Sequence, residues 1–137
     1  MAFSLPTAYW DCDETSGTTV ADAIGSHDGT ANEDSVDSTI SSNGKFAYCR
    51  TLDGSSENIS VADSDDWYYD GDFSISAWIN MDVNQAVFIA GQYVDASNRS
   101  FFNYNGATRL YYVWQGTYVY VPVSLSTGIW YHLVVTR

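Results

Sequence analysis

The segment at residues 110–121, LYYVWQGTYVYV, constrains the fold more than any other stretch of the chain. Two runs of branched and aromatic residues meet at Gln115-Gly116. Such side chains suit a pleated, half-buried surface. A glycine-containing dipeptide between them closes a two-residue hairpin, although Gln before Gly is a weaker turn signal than Asn or Asp. The register that follows sets Trp114 opposite Thr117, Val113 opposite Tyr118, Tyr112 opposite Val119, Tyr111 opposite Tyr120, and Leu110 opposite Val121. Side chains alternate across a strand. Leu110, Tyr112, Trp114, Val119 and Val121 therefore share one face, and Tyr111, Val113, Tyr118 and Tyr120 share the other. The first face holds most of the aliphatics and is the expected core face. The second is a tyrosine plate.

The remainder of the chain repeats this pattern in shorter pieces. Phe73, Ile75, Ala77 and Ile79 alternate with Ser74, Ser76 and Trp78 in the cleanest single strand. Further strands are predicted over residues 8–13, 46–52, 58–61, 86–91, 99–104 and 130–136, with one short extended piece over 29–32. Asp53-Gly54 is a strong turn signal. Short strands about ten residues apart, with turn chemistry between them, point to an all-β sandwich or barrel. The 137 residues suffice for one domain, which at that size buries roughly 70% of its unfolded surface. No stretch sustains a helical period, and no apolar run approaches the ~20 residues of a membrane span.

Charge narrows the partners. The chain carries 17 acidic and 5 basic residues, a formal net charge of −12. All the acids except Asp82 and Asp95 lie between Asp11 and Asp72. Such a surface repels phosphate backbones, which argues against nucleic acid. It leaves cations, neutral glycans and basic protein surfaces as partners, or simply a solubilising skin. The opening residues, MAFSLP, show neither a basic n-region nor an apolar h-region, so no secretory signal is visible. Cys12 and Cys49 are the only cysteines. Neither sits in a CxxC, and each lies in a predicted strand, which leaves buried thiols and a disulfide between the strands as alternatives.

No catalytic motif is present: there is no Gly-x-Ser-x-Gly elbow, no His-Glu-x-x-His helix and no phosphate-cradling glycine loop. His27 falls in a polar turn and His132 in the middle of a strand. Asp11 and Asp13 form the one paired-carboxylate cluster a glycosidase could use, and solvated loop acids explain them better. Asp63-Ser64-Asp65-Asp66 and Asp70-Gly71-Asp72 resemble fragments of calcium loops without the full spacing. The tyrosine plate and Trp67-Tyr68-Tyr69 are the candidate contact residues. Rings of this kind stack on sugars, line protein interfaces or pack across strands. Asn58-Ile59-Ser60 and Asn98-Arg99-Ser100 match glycosylation sequons by chance in a chain without a visible signal.

Six landmarks in order carry a resemblance: Ala8-Tyr9-Trp10; Asp13 through Asp22, DETSGTTVAD; Gly25 with His27-Asp28-Gly29-Thr30; Leu52-Asp53-Gly54-Ser55; Gly71 through Ile79, GDFSISAWI; and Trp130 through Arg137, WYHLVVTR. This series resembles the laminin-G-like domains of the concanavalin-A-like lectin and glucanase superfamily, over nearly the whole chain. The resemblance implies two curved antiparallel sheets in a jelly-roll sandwich spanning residues 1–137 as a single domain. It implies a binding module for glycan, protein or cell-surface ligands, often with calcium, for which Asp22 and Asp28 are the candidate ligands. The landmark residues also have structural readings. Gly17, Gly29 and Gly54 suit turns needing positive φ, and Asp22 suits a loop cap. Cys12 stands where the family commonly has an apolar residue and Cys49 where it has a small one, which makes the pair a disulfide candidate. Family members usually continue past the last strand here, so the resemblance implies that the usual closing strands are lacking. Open sheet edges template pairing with another chain, and a partner or neighbouring copy is expected to complete the sheet. The expected function is a non-enzymatic structural or adhesion subunit of an extracellular assembly or phage virion, with a carbohydrate-binding module as the alternative.

Overall fold

The computed structural model describes residues 5–35, 38–68 and 71–137. The chain divides into two compact units, Met1–Tyr68 and Tyr69–Arg137. Apart from one 3-10 turn at Asp65–Trp67, the regular structure of the described residues is β throughout, and every strand pair is antiparallel.

The first unit holds five short strands: β1 (Thr19–Val20), β2 (Gly29–Asn32), β3 (Ile40–Ser41), β4 (Cys49–Arg50) and β5 (Asn58–Val61). They form a sheet in the order β1-β2-β5 and a separate β3-β4 pair. Its apolar core is small, with Val20 and Ala31 as the buried hydrophobic residues. Gly29 is not a turn residue as expected. It lies in β2, where a Cβ would come within 3.0 Å of Ile59 Cγ2 and 3.4 Å of Val20 Cβ. A side chain there would be tight, so close approach favours glycine. The strand predicted over 8–13 is also absent; that stretch contributes only a bridge from Trp10 to Asp22. Cys12 explains the loss, because its φ of 58° is left-handed and breaks the extended run. The strand expected over 46–52 shrinks to Cys49–Arg50.

A polar hub takes over much of the role of an apolar core. The Arg50 side chain is 2% exposed. Its guanidinium donates to Glu14 Oε2 from Nε at 3.3 Å and from Nη2 at 3.1 Å, to the Thr19 carbonyl at 2.8 Å, the Gly17 carbonyl at 3.0 Å and Thr39 Oγ1 at 3.1 Å. Glu33 Oε1 lies 3.6 Å from Nη1 and accepts from Thr39 Oγ1 at 2.5 Å. One cation thus ties the loop after residue 13, β1, the β2–β3 connection and β4. Removing it strands two largely buried carboxylates, which costs about 3–5 kcal/mol in comparable networks. Arg50→Ala is expected to lower the denaturation midpoint accordingly, as read by urea unfolding; a loss below about 1 kcal/mol would mean the hub is dispensable.

The second unit is a sandwich. Its strands are β6 (Ser74–Ile79), β7 (Ala86–Tyr93), β8 (Arg99–Asn105), β9 (Arg109–Trp114), β10 (Thr117–Pro122) and β11 (Tyr131–Thr136). One sheet runs β10-β9-β8-β7 and the other is the β11-β6 pair. Met81, Phe102, Tyr104, Tyr112, Leu125 and Leu133 form the buried core, flanked by Ile75 and Ile79 from β6 and by Val87 and Ile89 from β7. Two polar ends are satisfied inside it: Tyr104 hydroxyl accepts from Leu125 N at 3.2 Å, and Tyr112 hydroxyl bonds Ser100 Oγ at 2.6 Å.

The expected hairpin register is the observed one, from Thr117↔Trp114 to Val121↔Leu110. The expected core face is only half right. Leu110, Tyr112 and Trp114 pack on the core, whereas Val119 and Val121 are 64% and 53% exposed. The reason is geometric. β10 is the edge strand of the four-stranded sheet, and Val119 and Val121 line an open groove with Val134 and Val135 of β11 rather than a closed core. At the turn, Gln115 and Gly116 have φ of 46° and 81°. Both positions are left-handed, the signature of a type I′ turn, in which Asn is favoured at the first place. Gln115→Asn is therefore expected to stabilise the unit by about 0.5–1 kcal/mol, seen as a higher thermal midpoint.

Candidate functional site

Two exposed features of the second unit lie on the faces of its four-stranded sheet. On the inner face, an apolar groove of about 240 Å³ opens beside β10. It is lined by Phe102, Leu110, Tyr112, Val119, Val121 and Val134, among others. All six residues of β10 are exposed, and among the described residues the far backbone edge of that strand pairs with no other strand.

The outer face follows from the same alternation. Phe102 and Tyr104 point into the core, so Phe101 and Asn103 point away from it. Cross-strand partners extend this face into rows. Phe88, Asn103, Tyr111 and Tyr120 make one row, and Gly91, Phe101, Val113 and Tyr118 make the next. Phe101 stacks on Tyr93 at 5.9 Å and meets Phe88 edge-on at 5.2 Å. Gly91 makes room for it, since a Cβ there would lie 2.8 Å from Phe101 Cδ1. Tyr118 stacks on Tyr120 at 6.3 Å, and the Arg109 guanidinium covers the Tyr120 ring at 4.5 Å.

The tyrosine plate expected from sequence is thus one half of a wider aromatic face. Tyr118 and Tyr120 are exposed, while Tyr111 and Val113 are half-buried. Phe88, Tyr93 and Phe101 belong to the same face and were not anticipated, because their strands lack clean alternation. In β7 a bulge between Phe88 and Ala90 puts Ile89 against the core and reverses the pattern. Asn103 is the polar exception at the centre of the face. It is 2% exposed, and its Oδ1 has no hydrogen-bond partner among the described residues; neither has Arg99 Nε. A buried amide oxygen left unpaired costs about 1–3 kcal/mol.

In the first unit the candidate residues fall into structural roles. Trp67 anchors its loop: its Nε1 donates to the Ala62 carbonyl at 2.9 Å, and its ring meets His27 at 4.6 Å and Trp10 at 6.0 Å. His27 Nε2 bonds Asp66 Oδ2 at 2.9 Å. Tyr68 is exposed, and Tyr69 lies outside the described residues, as does Asp70. Asp13 sits beside Asp11, whose charge raises its carboxyl above the usual range. Both are solvated.

Asp22 and Asp28 are both engaged by backbone N–H donors. Asp22 Oδ1 accepts from Tyr9 N at 3.0 Å and Ile24 N at 3.1 Å, and Oδ2 accepts from His27 N at 3.1 Å. Asp28 Oδ1 accepts from Asp22 N at 2.9 Å. Among the described residues no group of three or more His, Cys, Asp or Glu side chains is brought together at ligating distance. Asp22 is the loop cap of the alternative reading. The backbone N–H of Tyr9, with those of Gly25, Ile24 and His27, holds its carboxyl well below the ordinary range against the opposing effect of burial.

Cys12 and Cys49 are both half-buried and not disulfide-bonded. Burial pushes the Cys12 thiol up to about 11, with smaller contributions that include Glu14 and the Cys49 thiol.

These features define a class: an antiparallel β-sandwich of the lectin-like or structural kind. More narrowly, residues 53–137 match the laminin-G family described as the concanavalin A-like lectin/glucanases superfamily, and the chain belongs to that family. The landmarks from Ala8 to Thr30 lie outside the matched residues. Comparison with curated proteins and with solved structures gives no match. Laminin-G-like domains are generally non-enzymatic binding domains, often extracellular, although the superfamily also contains glycosidases. Among the described residues no helix is long and apolar enough to cross a membrane.

The Asp22 cap has a pH signature. A carboxyl lowered by folding contributes stability above its unfolded value of about 3.9, and that contribution is lost as pH falls below it toward the lowered folded value. Asp22→Asn is expected to melt lower than the parent near neutral pH and to lose less between about pH 4 and pH 2. Parallel melting curves over that window would remove the cap from the account. The Cys12 thiol, raised to about 11, should resist iodoacetamide near pH 8 in the folded protein and react at once when unfolded.

Proposed function

We propose that residues 1–137 act as one non-enzymatic contact domain, a structural or adhesion subunit of an extracellular assembly or virion, joined to protein partners through sheet edges. The observation that carries this reading is β10, a six-residue strand that is exposed on both faces, unpaired along one side and bordered by an apolar groove. Exposed edges of this kind pair with strands of other chains. The acidic first unit supports it by keeping the rest of the surface soluble and repelling unwanted contact.

A second reading, glycan binding on the outer face of the same sheet, is favoured by the exposed rings of Tyr118 and Tyr120. Aromatic rings supply faces for sugar C–H groups, and their phenolic hydroxyls hydrogen-bond at the edge. Both readings use contact rather than turnover.

Two measurements on the intact chain separate them. Concentration-dependent self-assembly in sedimentation velocity, or a stable place in a purified particle, supports edge contacts. Retention on a glycan array that falls at least tenfold in Tyr111→Ala or Tyr120→Ala supports the second reading. A chain that stays monomeric and is retained on glycans would overturn the first.

A further inference from the structure

Resting on the edge-contact reading above, we infer that the occupant of the β10 edge is a second copy of this chain, paired antiparallel through Tyr118 and Tyr120 about a two-fold axis at Val119.

The register of the hairpin determines which backbone groups are available. A two-residue loop makes Trp114 and Thr117 a hydrogen-bonded pair, and pairs alternate from there. Thr117, Val119 and Val121 therefore spend their N–H and C=O groups on β9. Two neighbouring bonds follow the same alternation: Val123 N donates to the Thr108 carbonyl at 2.8 Å, and Gln115 N turns the other way to the Arg99 carbonyl at 2.9 Å. Tyr118 and Tyr120 are left with N–H and C=O directed at the open side. Pro122 follows at the next outward position and has no N–H, so the usable edge ends there.

Outward groups two residues apart are self-complementary. Placed antiparallel to itself about Val119, the strand sets Tyr118 of one copy opposite Tyr120 of the other, each pair exchanging both backbone bonds. The two Val119 residues become a non-hydrogen-bonded pair, with Cα atoms about 4.5 Å apart. Faces are preserved by this axis. The tyrosines of both copies join on the outer face, and Val119 meets its counterpart beside the groove on the inner face.

Charge and edge chemistry select this edge. No residue of β10 is charged. In residues 69–137, Arg99, Arg109 and Arg137 nearly balance Asp70, Asp72, Asp82 and Asp95, so the net −12 is carried almost wholly by residues 1–68. Copies that repel elsewhere can approach here. The opposite edge of the sheet, β7, is interrupted by the bulge at Ile89, a common device against pairing. In β10 the one such guard is Pro122 at the strand's end, which leaves the Tyr118–Tyr120 stretch unblocked. A strand of this length spans about 20 Å. Alone it falls short of the roughly 1,200 Å² of a stable interface, so the expected dimer is reversible and dissociates on dilution through the micromolar range.

Sedimentation velocity of the intact chain between about 5 and 500 μM is expected to show monomer passing to dimer. Val119→Lys should remain monomeric over the whole range, with circular dichroism and thermal midpoint unchanged because the side chain is exposed. Val119→Cys, oxidised with glutathione disulfide, should give a dimer that peptide mapping shows to be linked through the introduced thiols, since that spacing suits a disulfide. Phe88→Cys, on the β7 edge, should not link. A wild-type chain that stays monomeric at the highest concentration overturns the inference. So does association that survives Val119→Lys while Val119→Cys fails to cross-link; that result would leave edge contact standing and move it to another strand.

Discussion

Much of the second unit depends on a mismatch of widths: four strands face two. The alternation of β8 and β9 drives Phe102, Tyr104 and Tyr112 inward, where β6 and β11 cover them. The same alternation sends Val119 and Val121 inward from β10, but they stay more than half exposed, in an open groove shared with Val134 and Val135 of β11. Burial of apolar area is the main favourable term in such a fold, at about 25 cal/mol per Å², and here part of it is left uncollected. The groove is that remainder. It sits beside an edge whose backbone groups are also unspent, so two separate deficits are presented at one place.

The first unit meets the opposite constraint. With few large apolar residues to bury, it is organised by charge and backbone hydrogen bonding. Arg50 gathers Glu14, Glu33, Thr39 and two carbonyls into one hub, and Asp22 gathers the amides of a loop. Buried ion networks of this sort are costly to desolvate and hold only when every member is satisfied. Within such a network carboxylates act as caps and ion partners. An acid surrounded by N–H donors has its lone pairs already engaged.

The outer face of the four-stranded sheet stands between these extremes. Its rings are stacked on one another, with Arg109 over Tyr120, yet its centre holds an amide oxygen with no hydrogen-bond donor among the described residues. Proteins rarely leave a buried polar atom unpaired without a role for it. The face is therefore the natural alternative to the edge as a place of contact, and membership of a family of lectins, glucanases and structural domains is compatible with either.

What the amino-acid order determined by itself was local. The hairpin at 110–121 has its pairing written in a glycine turn and a strict period of two, and the strands at 29–32 and 58–61 were legible to the residue. The all-β class and the family followed from motifs that survive in the linear chain. Tertiary structure decided the rest. Whether Val119 is core or surface depends on how many strands lie opposite, which no period reveals. The bulge at Ile89 hid Phe88 and Tyr93 from an alternation test, and the left-handed Cys12 ended a strand that its neighbours favoured. Arg50, Glu14 and Glu33 lie far apart along the chain and carry no motif, so their union exists only once β1 and β4 are folded. Alternation is a property of neighbours, while coverage and charge pairing are properties of distant segments brought together.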